Sequence, residues 1–194
     1  MSAYATTSAT PSRRGTRLDA ALPVALGIGA LLLRARVLGL PGNDRVVALG
    51  CIYAAMLAGS LLAPVAKDEP LMRPVLVLAI GLAAVGIAAT TAGRPVAMSF
   101  APLALPLSLL AAVAEEALFR RAAYGWLERY GVAAAIIGSA SLFALVHLPF
   151  YGLAALPVDF GAGLLLSWQR WASGTWTMPA ATHAAANFLA VILR

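Results

Sequence analysis

Charge is scarce in this sequence. Only 11% of its 194 residues are Asp, Glu, Lys or Arg, against 61% hydrophobic residues, and mean hydropathy is +0.86. A soluble domain carries about 25% charged and 45–50% apolar residues. A chain this short has too little interior to hide such an excess, so a bilayer is the fitting solvent. Cysteine is nearly absent. Cys51 alone excludes an internal disulfide and any cysteine-rich metal site. There is no basic stripe on a polar face, so the net charge of +6 reads as Lys and Arg gathered at helix ends and short loops. Nucleic acid is not an expected partner. Also missing are internal repeats and the alternating ten-residue strands of a membrane barrel, which leaves helices as the spanning element.

What is present is a series of apolar runs near the 20 residues that a span requires. They cover 18–33, 46–66, 75–92, 107–130, 132–148, 153–168 and 175–193. The stretch 96–107 holds Pro102 and Pro106 and reads as a short re-entrant or interfacial piece. The first run is no cleaved signal peptide, because Arg34 and Arg36 stand where small residues belong. It reads as a retained helix whose arginines snorkel outward. The expectation is an all-α, polytopic transmembrane bundle of about seven to eight helices. Residues 18–194 form one integral membrane domain behind a flexible polar segment, 1–17. Tyr124, Trp126 and Tyr130 flank a turn at Gly131, and Trp168, Trp171 and Trp176 flank one near Gly174. Their preference for headgroup level puts both turns on one membrane face.

Four charges interrupt a helix that begins in apolar sequence: Glu115, Glu116, Arg120 and Arg121. Each charge at mid-membrane costs about 2.5–3.5 kcal/mol on insertion scales and is retained when paired or facing a wet cavity. Glu116 and Arg120, four apart, can meet on one helix face. Glu115 points about 100° away around the axis, which suggests one carboxylate neutralised and the other open to a cavity. Arg121, Glu128 and Arg129 read as a solvated helix end. Both histidines, His147 and His183, lie in apolar runs. Phe143 precedes His147 by four residues, and Asn187 follows His183 by four, so each pair shares a helix face.

Glu115 lies 16 residues before Gly131 and His147 lies 16 after it. In an antiparallel hairpin turning there, both stand about 24 Å from the turn at a rise of about 1.5 Å per residue. They are therefore level. His183 and Asn187 approach that layer from a third helix. Asp159, in the sixth run, either lines the same cavity or ends a loop. Pro149 is expected to end the helix just past His147, and Pro179 to kink the last helix before His183.

A carboxylate beside an imidazole can polarise water for attack on an amide carbonyl. The resulting oxyanion needs placed donors, such as an imidazole N–H and an Asn amide. Glu115 and His147 would activate the water, while His183 and Asn187 would stabilise the intermediate. The same atoms permit a zinc site of Glu115, His147 and His183. No HExxH spacing is present, and Asn suits an oxyanion better than a metal, so the metal-free chemistry is preferred. A proton-coupled transporter or a non-catalytic immunity or binding protein uses similar residues, although matching halves are not visible.

Glu115-Glu116-Ala117-Leu118-Phe119-Arg120 matches an EExxxR motif, Phe143 to His147 an FxxxH motif and His183 to Asn187 an HxxxN motif. Leu148-Pro149 and Ser173-Gly174-Thr175-Trp176 agree as flanking residues. In this order the sequence resembles the CPBP (CAAX protease and bacteriocin-processing, or Abi) family of intramembrane endopeptidases, over about 106–193. That family includes the Ras-converting CAAX endopeptidase. The resemblance implies a glutamate-type or metal-dependent protease with its site between the three motif-bearing helices. Glu115, His147, His183 and Asn187 would be catalytic, with Glu116, Arg120 and Phe143 in support. It further implies membrane lipid and a membrane-associated protein or peptide as partners, the substrate being a C-terminal tail, a leader or an anchor. The Ala- and Arg-rich composition points to a prokaryotic inner membrane.

Overall fold

The computed structural model describes residues 17–63, 68–91 and 103–192, and its regular secondary structure there is entirely helical. All of the expected polar segment 1–17 except Arg17, which opens α1, and most of the piece expected over 96–107, lie outside these residues. The helices are α1 (Arg17–Val37), α2 (Gly42–Leu62), α3 (Pro74–Thr91), α4 (Ala104–Glu116), α5 (Tyr124–Leu127), α6 (Val132–Tyr151), α7 (Leu156–Ser173) and α8 (Thr177–Ile192). A π-helical stretch, Ala117–Ala123, joins α4 to α5 in one continuous rod. Three helices, α2, α3 and α6, are long and apolar enough to cross a membrane. Their outward faces keep large apolar side chains exposed, among them Val47, Leu62, Val75, Ile87, Ile137 and Leu145. Such a surface suits acyl chains rather than water.

Small residues let the helices approach closely, the usual solution where packing rather than hydrophobicity drives association. Gly163 on α7 meets the backbone of Ala140 on α6, Gly27 on α1 meets Leu118, and Gly81 on α3 meets Gln169 and Thr182. Gln169 Nε2 donates to Val77 O and to Thr182 Oγ1, both at 2.9 Å, and so joins α3, α7 and α8. The π-helical turn offers two carbonyls sideways: Ser139 Oγ donates to Phe119 O at 2.8 Å, and Arg170 Nε to Arg120 O at 3.1 Å. Arg170 also pairs with Asp68 and lies over the Tyr124 ring at 5.1 Å. Leu71 N and Met72 N donate to Ala172 O, so the residues just before α3 dock on the end of α7. Burial, with Asp68 nearby, raises the Glu128 carboxyl at this end, and Arg170 opposes the rise.

Several expectations need correction. Tyr124 is fully buried and packs as core, not as an interfacial anchor. Its contact with Arg170 nevertheless brings the Gly131 and Gly174 turns to one end of the bundle. Arg121 is half-buried rather than simply solvated. Its guanidinium donates to Ser60 O, which also accepts from Ala63 N, and at 2.8 Å to Ala63 O at the end of α2. Pro149 does not stop α6, which continues to Tyr151 and ends where Gly152 takes a φ of 74°. Pro179 does not kink α8. It stands in the first turn, where no backbone N–H is needed.

The α6–α7 approach yields a direct test. A methyl group at position 163 would stand 2.9 Å from Ala140 Cα and 3.0 Å from Ala140 O. Gly163→Ala should therefore lower stability by about 1–3 kcal/mol, seen as a reduced melting temperature in detergent. Gly161→Ala, which has open space around it, should cost less, and an equal loss in both would refute tight packing as the cause.

Candidate active site

Two adjacent carboxylates lie in the interior, 3% and 0% exposed. Their side chains point to different partners, as neighbours on a helix must. Glu116 Oε1 accepts from Arg120 Nη1 at 3.0 Å, the pairing that the i to i+4 spacing implies. It also accepts from His183 Nδ1 at 2.8 Å. Arg120 Nη2 donates to Gly163 O at 3.1 Å, and its guanidinium lies 4.6 Å over the Phe143 ring. Glu116 Oε2 and Arg120 Nε lack partners among the described residues.

Glu115 has a separate set. Its Oε1 accepts from Arg34 Nη1 at 3.2 Å, and its Oε2 stands 3.7 Å from His147 Nε2. The α4-to-α6 hairpin thus brings the glutamate and the histidine to one level, as their equal distance from Gly131 requires. Each carboxylate is matched by one arginine and faces one imidazole.

Both imidazoles are held by Nδ1. His147 Nδ1 lies 2.7 Å from Phe143 O, which can only accept, so the proton resides on Nδ1 and Nε2 of the neutral ring keeps its lone pair. In His183 the Nδ1 proton is directed to Glu116. Phe143 is the packing centre, with ring centroids 4.6 Å from His147, 5.8 Å from His183 and 5.5 Å from Phe119. Asn187 Nδ2 donates one hydrogen to Ser108 O at 3.0 Å, tying α8 to α4. A cavity of about 610 Å³ is lined by His147, His183, Asn187, Phe143, Tyr151 and Asp159, among others.

The arrangement departs from the sequence expectation in two ways. Glu115 does not line that cavity: its carboxylate is taken by Arg34, since an ionised acid in an apolar interior needs a counter-charge. His183 binds Glu116 and not Glu115. Among the described residues no three His, Cys, Asp or Glu side chains converge as a metal site requires. Arg34 itself was missed. An arginine near the end of an apolar helix reads as snorkelling, and its neighbours are too uniformly apolar to mark the inward face. Tyr53 was missed with it; the phenol oxygen accepts from Arg34 Nη1 at 3.3 Å.

Residues 97–189, just under half of the chain, match the family model described as type II CAAX prenyl endopeptidase Rce1-like. The match bears out the resemblance carried by the three motifs, all of which fall inside it. It leaves out Arg34 and Tyr53. No curated protein and no solved structure matches the chain.

The Glu116 pairing is testable through stability. Arg120→Met leaves the buried Glu116 carboxylate with His183 as its sole described partner and should cost about 3–5 kcal/mol. Adding Glu116→Gln removes the stranded charge and should recover most of the loss in thermal unfolding. A double variant no more stable than Arg120→Met would show that the pairing is not the source.

Proposed function

With residues 97–189 taken as an Rce1-like CAAX-endopeptidase segment, we propose that the protein is a multi-pass intramembrane endopeptidase. It hydrolyses a peptide bond in or beside the bilayer, and the three helices able to cross a membrane support that setting. One observation carries the reading: Glu115 Oε2 and His147 Nε2 face each other at 3.7 Å, both as lone-pair acceptors. Two acceptors cannot bond directly, so a water that donates to both is the natural bridge.

That water would attack the scissile carbonyl carbon while its proton passes to the Glu115–His147 pair. The carbonyl oxygen becomes an oxyanion in the cavity and receives hydrogen bonds from His183 and Asn187. Asn187 has a second amide hydrogen beyond the one given to Ser108. Donation from His183 Nε2 uses the imidazolium, whose Nδ1 proton stays hydrogen-bonded to the Glu116 carboxylate. Collapse of the intermediate breaks the C–N bond, and the proton held by the pair is delivered to the departing amine.

Zinc stands outside this mechanism because its proposed ligands are divided between two carboxylates. The substrate is a membrane-associated protein or peptide, cleaved in a C-terminal tail, a leader or an anchor. Asp159 and Tyr151, on the same cavity wall, are placed to touch it.

The test is cleavage of membrane-tethered peptides by purified protein in detergent. Glu115→Gln and His147→Gln should each reduce kcat/KM by roughly 10²–10⁴-fold, the range for general acid–base groups. Groups acting as one unit lose little more when both are removed, so the double variant should match the worse single one. Activity should survive a chelator. Full cleavage by Glu115→Gln would exclude the assigned role, and chelator inactivation would restore the zinc reading.

A further inference from the structure

We propose that Arg34, on α1, is a positioning residue of this active site. The N-terminal half of the chain would then complete a centre whose motifs all lie in the C-terminal half. The inference rests on the endopeptidase reading above.

Arg34 has four observations in its favour. Its Nη1 donates to Glu115 Oε1 at 3.2 Å and to the Tyr53 phenol oxygen at 3.3 Å. Its guanidinium lies 4.2 Å over the ring of Phe150. Its side chain is 11% exposed, so solvent screens the pair little. Contacts from α2 (Tyr53), α4 (Glu115) and α6 (Phe150) therefore fix one guanidinium. An arginine that merely snorkelled would not be held from three helices.

The consequence for Glu115 is geometric. A free carboxylate rotates about its last torsion and presents either oxygen. Arg34 engages Oε1 and leaves Oε2 directed at His147. It thereby selects the oxygen that shares the attacking water. Arg120 cannot substitute, because its reach is spent on Glu116 and Gly163. Lysine at position 34 would keep the charge but not the flat guanidinium that lies over Phe150.

Displacement of a reacting group by about 1 Å costs roughly 100-fold in rate. On that basis Arg34→Gln should lower kcat about 10- to 100-fold, measured per folded, monodisperse protein, with KM within about twofold. Arg34→Lys should recover part of kcat. Tyr53→Phe, which loosens Arg34 without removing charge, should lower kcat a few-fold and remains informative if Arg34→Gln does not fold. Arg36→Gln, an exposed neighbour on the same helix, should behave as wild type. The split between kcat and KM separates positioning from substrate binding, and rescue by lysine separates it from loss of fold. An unchanged kcat in Arg34→Gln, or a loss confined to KM, would overturn the assignment while Glu115→Gln remained inactive. Should Glu115→Gln itself stay active, the endopeptidase reading fails first.

Discussion

A carboxylate in hydrocarbon must find a cation or give up its charge, and two consecutive carboxylates must find two cations in different directions. Much of the site's architecture follows from that demand. Glu116 draws its cation from its own helix, one turn on. Glu115, turned away from it, draws Arg34 from α1. Arg120 then needs an acceptor for its remaining face and takes Gly163 O on α7. The absence of a side chain at Gly163 lets α6 and α7 approach there. Replacing either glutamate alters this chain of contacts, so the adjacent acids act as organising charges for α1, α6, α7 and α8 at once.

In the proposed mechanism the same pairing prepares the chemistry. Each carboxylate has its own arginine, so the two acids are compensated separately. The histidines are fixed through Nδ1 by different acceptors, a carbonyl for His147 and a carboxylate for His183. On the proposed mechanism the first arrangement leaves His147 Nε2 free to take a proton, and the second turns His183 Nε2 to the oxyanion. One residue type would thus obtain two roles from its second partner in the proposed mechanism.

The sequence shows this centre unusually well because apolar surroundings make every polar residue conspicuous. Glu115 and His147 were placed together by counting from Gly131, and the count survives the π-helical turn and the short 3-10 turn between them. His183 and Asn187 share a cavity wall, as their spacing of four implies. The assignment of His183 to Glu116 was not legible, because side-chain direction depends on how α8 rotates against α4. Arg34 escaped for a related reason: in a helix apolar all round, periodicity does not mark the buried stripe. Arg170 and Gln169 were hidden near a helix end, where charge and amide read as solvated. The π-helical stretch has no sequence mark at all, since its widened turn is fixed by partners such as Ser139 and Arg170 from later helices.

The boundary of the family match deepens the argument about Arg34. A pattern that begins at residue 97 carries both acids but only one of the two cations. Electrostatics requires the second cation without specifying where in the chain it resides. It can come from any helix that packs against the Glu115 side of α4, at any position facing that layer. Such a requirement is positional in space and free in sequence, so it leaves no motif. In this chain α1 meets it, packed through Gly27 against Leu118, three residues along the rod from Glu115. The close approach at Gly27 sets the depth of α1, and Arg34, about two turns further on, reaches the carboxylate.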